Sequence, residues 1–141
     1  MKTISATEFV KRVDWDPSWC LTIKEPTKVE GYLYLKHSNI THLSKHLSFT
    51  GIVDLRYCKN LKLATGTYDE LVNFSHSGII TIKDLNINKG NEAVFFHCPI
   101  QYIPIQYRTK QFIFNKTPLR NSDLKDEEIR KIKSETNNIE L

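Results

Sequence analysis

Residues Leu33-Tyr34-Leu35-Lys36-His37-Ser38, reading LYLKHS, place two large apolar residues two positions apart and close on a small hydroxyl three positions later. The same frame returns as Val53-x-Leu55-x-x-Cys58, Val72-x-Phe74-x-x-Ser77, Ala93-x-Phe95-x-x-Cys98 and Phe112-x-Phe114-x-x-Thr117. The units start at residues 33, 53, 72, 93 and 112, in steps of 20, 19, 21 and 19 residues. A repeat of that length with a constant internal frame marks a solenoid, in which each unit buries its apolar face only against its neighbours.

Residues two apart share one face of a strand, so Leu33 and Leu35 point into a core while Tyr34 and Lys36 point out. Stacking the units then makes a parallel sheet of about five strands. After each strand the chain turns away sharply, and a small hydroxyl or thiol there can bond to buried backbone or fill the space. An aliphatic residue follows and re-enters the core: Ile40, Leu61, Ile80, Ile100 and Leu119. A return limb closes each coil, with Leu43 and Leu47 in one unit, Leu63 in the next, and Ile82, Leu85 and Ile87 in the third.

This pattern resembles the leucine-rich repeat, L-x-x-L-x-L-x-x-N/C-x-L, with Ser38, Cys58, Ser77, Cys98 and Thr117 standing where that family usually has Asn or Cys. The unit Leu35 to Leu47, LKHSNITHLSKHL, is most similar to the short repeats of bacterial effectors and of small phage and bacterial proteins. Later units carry insertions around Gly66 and Gly90. The resemblance implies an α/β fold: a short leucine-rich-repeat-like solenoid with a parallel β-sheet of about five strands, capped by an N-terminal and a C-terminal helix.

Both ends of the chain supply cap candidates, which a solenoid needs to cover its terminal apolar faces and strand edges. Ser5-Ala6-Thr7-Glu8 is a capping box with Ile4 and Phe9 placed as a hydrophobic staple, and it predicts a helix over about Ala6 to Val13. Trp15, Trp19, Leu21 and Ile23 are then expected to cover the first coil. At the far end Pro118 follows the last repeat strand, and Asn121-Ser122 starts a helix running to about Lys133. Its acidic first turns and basic last turn suit the helix dipole. The expected division is one domain over 1–141, with an N-terminal cap at 1–28, the solenoid at 29–119, a cap helix at 120–134 and a frayed tail at 135–141.

Composition narrows the function. The 141 residues are 40% hydrophobic and 26% charged, ordinary for one globular domain, and no stretch approaches the roughly 20 apolar residues of a membrane span. With no apolar signal core at the start, the expectation is a cytoplasmic protein, though delivery into a host cell would leave no mark in the sequence. The net charge of +4 comes from 20 basic and 16 acidic residues that are interspersed. Three cysteines without CxxC spacing argue against a disulfide framework or a zinc knuckle, and Cys58 and Cys98 fall at the buried turn position of the repeat. No nucleophile elbow, HExxH, phosphate-binding glycine loop or dinucleotide fingerprint is present, so a non-enzymatic protein without cofactor is expected.

The residue before each small turn residue is His37, Tyr57, His76, His97 and Lys116. Coils stack about 4.8 Å apart, which puts these side chains in one surface column. A metal site there would need further ligands, which Tyr57 and Lys116 do not provide well, so a surface ladder is the expectation. The sheet's outward face is therefore the candidate partner-binding site, with Tyr34, Lys36, His37, Asp54, Arg56, Tyr57, Asn73, His76, Phe96 and His97, and with apolar Val94 and Ile113 toward its C-terminal half. Exposed aromatics and an Arg on a repeat surface point to a protein partner bound by a monomer or homodimer. The competing class is a nucleic-acid partner held by Lys36, Arg56 and Lys116 with interleaved aromatics, against which Asp54 counts.

Overall fold

A computed structural model describes residues 1–114 of the chain. In chain order its elements are β1 (Lys2–Ser5), α1 (Ala6–Trp15), a 3-10 turn (Trp19–Thr22), β2 (Thr27–Glu30), β3 (Leu33–Tyr34), β4 (Leu47–Phe49), β5 (Val53–Asp54), β6 (Leu63–Tyr68), β7 (Val72–Asn73), β8 (Thr81–Ile87), β9 (Ala93–Val94), a second 3-10 turn (Ile105–Tyr107) and β10 (Phe112–Ile113). The expected turn at Thr117, the re-entrant Leu119, surface residue Lys116, the C-terminal cap helix and the tail lie outside the described residues.

The chain is a parallel-strand solenoid of about four turns, and each turn crosses two sheets. One sheet is the expected one, ordered β3-β5-β7-β9-β10. Its pairing sets Leu33, Val53, Val72, Ala93 and Phe112 in one row, the register of the repeat. The second sheet, β1-β2-β4-β6-β8, is built from the return limbs, which had been expected only to close the coil. Its cause is the stacking itself: once extended limbs lie one strand spacing apart, their N–H and C=O groups face each other and pair rather than stay unsatisfied. The β6–β8 pairing shifts register between Ala64 and Gly66, but the extra residue lies on β8 between Ile82 and Leu85, where Asp84 has φ 52°, and not at Gly66 where an insertion was expected.

The core lies between the sheets. Leu35, Leu55, Phe74, Phe95 and Phe114 form a second inward row beside the Leu33 row, and all ten residues are buried. Phe74, Phe95 and Phe114 stack with centroids 5.0 and 4.9 Å apart, while Phe49 and Tyr68 stack at 4.8 Å on the other side. Burying each such ring contributes about 1.5–3 kcal/mol. Of the re-entrant residues, Ile40, Leu61 and Ile100 are buried as expected, but in the third unit Ile79 takes that role and Ile80 is exposed. Ile79 stands two residues after Ser77, the same offset as Ile40 after Ser38 and Ile100 after Cys98, and between them Gly78 approaches the Lys59 carbonyl so closely that a Cβ would collide. Leu63 and Ile87 are only half-buried, and Ala64 faces the core in place of Leu63.

The expected N-terminal helix is present as α1, but its details differ from expectation. It runs to Trp15, and Ser5 Oγ accepts the Glu8 N–H at 3.1 Å as an N-cap should. The Glu8 carboxylate bonds Arg12 Nε at 2.9 Å instead of returning to Ser5 N–H, so the box is half closed. Phe9 and Val13 are buried, and Phe9 meets Trp19 and Phe49 edge to face. Trp19 and Ile23 pack on the core, whereas Trp15 is 90% exposed and Leu21 is exposed too, so these two do not cover the first coil. Trp15 ends the helix beyond the stripe that Phe9 and Val13 set. No helix among the described residues is long and apolar enough to cross a membrane.

Candidate functional site

Strands β3, β5, β7 and β9 each end in a tight turn whose third residue has positive φ: His37 at 64°, Tyr57 at 61°, His76 at 59° and His97 at 57°. The turns close through main-chain bonds from Ser38 to Leu35 O (2.9 Å), Cys58 to Leu55 O (3.4 Å) and Ser77 to Phe74 O (3.1 Å). Positive φ at the third position is what a type II turn demands, and His is among the few non-glycine residues enriched there. The same residues also hold coil to coil, since His37, Tyr57 and His76 N–H donate to Arg56, Ser75 and Phe96 carbonyls on the next unit.

That geometry makes the expected column a continuous stack. Ring centroids lie 4.7 Å apart for His37–Tyr57, 4.7 Å for Tyr57–His76 and 4.5 Å for His76–His97, with planes within 17° of parallel. The ammonium groups of Lys36 and Lys59 each sit 5.7 Å from the Tyr57 centroid, within cation–π range. Burial, then the charges of His97 and Lys59, lower the pKa of His76. Imidazole lone pairs lie in the ring planes, so parallel stacked rings do not converge on a common metal ion. Among the described residues no group of three or more His, Cys, Asp or Glu is placed to hold one.

Two of the expected site residues serve the turn rather than the surface. Asp54, 3% exposed, accepts from Arg56 N at 3.1 Å, Arg56 Nε at 2.9 Å and Nη2 at 2.8 Å. One coil on, Asn73 Oδ1 accepts from Ser75 N at 2.9 Å in the same Asx geometry. Burial pushes the Asp54 carboxyl up, but the Arg56 hydrogen bonds, with the charges of Arg56 and Lys36, outweigh it and hold the group below the ordinary carboxylate value. The pair also neutralises Arg56, one of the three cations expected to contact phosphates.

Tyr34, His37 and His97 are exposed, and Lys36, Arg56, Tyr57, Asn73, His76 and Phe96 are half-buried, so nine of the ten expected residues keep accessible surface and Asp54 does not. Val94 and Ile113 are half-buried rather than an open apolar patch. Tyr32, not anticipated, joins the surface: it is 54% exposed and stacks on Tyr34 at 5.6 Å. Its signal was present, because it lies two residues before Tyr34 and so on the same face. Lys59 was likewise missed, as it follows the turn instead of lying on the strand.

The thiols are structural. Cys58 Sγ donates to Leu35 O and Cys98 Sγ to Phe74 O, each at 3.1 Å, so each turn thiol ties its unit to the previous one. Burial pushes Cys58 up to about 11 and Cys20 up to about 12, and it raises Cys98 as well. Such thiols are protonated at neutral pH and not poised for nucleophilic attack. Comparison of the chain with protein-family models, curated proteins and solved structures finds no match, so the reading of this site rests on its own geometry.

Proposed function

We propose that the protein is a non-enzymatic binding module that holds a protein partner across the ring column. The carrying observation is the unbroken stack His37–Tyr57–His76–His97, flanked by Lys36 and Lys59 and continued toward the stacked Tyr32–Tyr34 pair. Aromatic rings held rigid by stacking lose little side-chain entropy on binding, and Tyr and Arg are favoured anchors at protein interfaces. A groove for nucleic acid suits the surface less well, because Arg56 is committed to Asp54. The likeness of the repeat to short bacterial and phage proteins extends this to an accessory role, such as an effector, an immunity protein or an inhibitor of a host defence factor; that step is analogy.

The test is affinity capture from the native cell with the wild type and with a Tyr34→Ala, Tyr57→Ala, Phe96→Ala variant. One protein held by the wild type through a salt wash and lost from the variant is the expected result. Identical captured proteins would sink the proposal. Retention of nucleic acid at low salt with steep loss as salt rises would favour the competing class.

A further inference from the structure

The N-terminal end of the solenoid is covered on one side only. Helix α1 packs against β3, β2 and its own β1, which leaves β1, among the described residues, as the outermost strand of the second sheet. Lys2 N–H donates to Pro26 O with Lys2 opposite Thr27, so the main chain of Lys2 and Ile4 faces β2. Alternation then turns the N–H and C=O of Thr3, and the N–H of Ser5, to the open edge. The half-closed capping box matters here, because Glu8 is drawn to Arg12 and leaves Ser5 N–H without its carboxylate.

A cavity of about 660 Å³ opens beside that edge. Ile4 lies in register with buried Val29, so the inner face of β1 looks into the cavity, whose other apolar walls are Trp19 and Ile23. Its charged lining is Lys2, Arg12 and Lys24 against Glu8 and Glu25, one net positive charge. Lys2 leans to Glu25 at 3.4 Å and Arg12 to Glu8 at 2.9 Å, so neither lysine nor arginine lies across the free main-chain groups as an edge-blocking charge would.

We propose that this edge binds an extended peptide segment of a partner protein, which adds to the sheet as a strand beside β1. Its main chain pairs with Thr3 and Ser5, alternate apolar side chains enter the cavity against Ile4, Trp19 and Ile23, and one acidic residue meets the net positive rim. Strand addition of this kind takes affinity from main-chain hydrogen bonds and specificity from pockets for alternate side chains. A second copy of the chain would have to bring the same net positive lining against itself, whereas a peptide with one acidic residue complements it. The site lies on the other sheet from the ring column and does not depend on it.

Thr3→Pro is the discriminating variant. It removes one outward donor while Lys2 and Ile4 keep the β1–β2 ladder, and proline is tolerated on an edge strand whose N–H faces solvent. Random seven-residue peptides displayed on phage are selected against the full chain, and the best are synthesised and titrated against wild type, Thr3→Val and Thr3→Pro, with thermal unfolding confirming that all three fold. The expected result is enrichment of alternating apolar residues with one acid, unchanged binding to Thr3→Val, binding about ten-fold weaker to Thr3→Pro, and slowed exchange of the Thr3 and Ser5 amides. Failure to enrich any peptide, or equal affinity for Thr3→Pro, would overturn the proposal. So would a concentration-dependent dimer that Thr3→Pro abolishes, since the occupant would then be a second copy.

Discussion

His37, Tyr57, His76 and His97 all adopt a left-handed backbone that costs a side-chain-bearing residue about 1–2 kcal/mol. Stacking contributes roughly 0.5–1.5 kcal/mol per aromatic pair, enough to offset much of that cost. The stack also couples the rings electrically. Because the folded pKa of His76 lies below its ordinary 6.5, the folded chain binds fewer protons there than the unfolded chain. Its contribution is therefore full above pH 6.5 and is lost as pH falls from 6.5 through the lowered value. Proton NMR should give His76 a titration midpoint below 6.5, and Tm should fall less steeply with acid in His76→Asn, which retains a residue suited to positive φ. A midpoint at or above 6.5 would contradict this. The column itself was legible, since the 19–21 residue steps bring the same repeat position onto each coil. Its backbone hand was not, because a Tyr takes positive φ only when the turn around it leaves no other path.

At the scale of the element, α1 shows which part of a sequence motif carries the stability. Ser5 makes the cap bond while Glu8 makes an exposed i,i+4 pair with Arg12. Ser5→Ala should cost about 1 kcal/mol. Glu8→Ala should cost no more than about 0.5 kcal/mol, because an exposed pair of this kind contributes little. Urea unfolding of both variants checks the order, and equal losses would mean that the box is closed in solution. The helix was legible from its cap and from the spacing of Phe9 and Val13. The second sheet was not, because its return limbs share no constant apolar frame and alternate too weakly to stand out until neighbouring coils supply their hydrogen bonds.

At the scale of the whole molecule, stability runs along the stack of coils, each held mainly by its neighbours. Phe95 sits between Phe74 and Phe114 in the middle of the three stacked phenylalanine rings, so Phe95→Ala opens a cavity that rigid neighbours cannot close. The expected loss is about 3–5 kcal/mol. Hydrogen exchange should show it first as lost protection in β7, β9 and β10, while β2 and β3 keep theirs. Uniform loss across all coils would instead mark the solenoid as a single cooperative unit.

By itself the sequence determined the coil. The spacing of Leu33, Val53, Val72, Ala93 and Phe112 specifies parallel stacking and register, since only that register buries every apolar pair, and the small residues after them specify where each turn closes. Tertiary structure decided what the surface offers. Asp54 and Asn73 look like surface groups until the turn draws their side chains onto Arg56 and Ser75, and β1 looks like a lead-in to a helix until stacking makes it the open edge of a sheet. Both depend on which backbone groups find partners in the folded chain, a property of neighbours distant in sequence and not of any one segment.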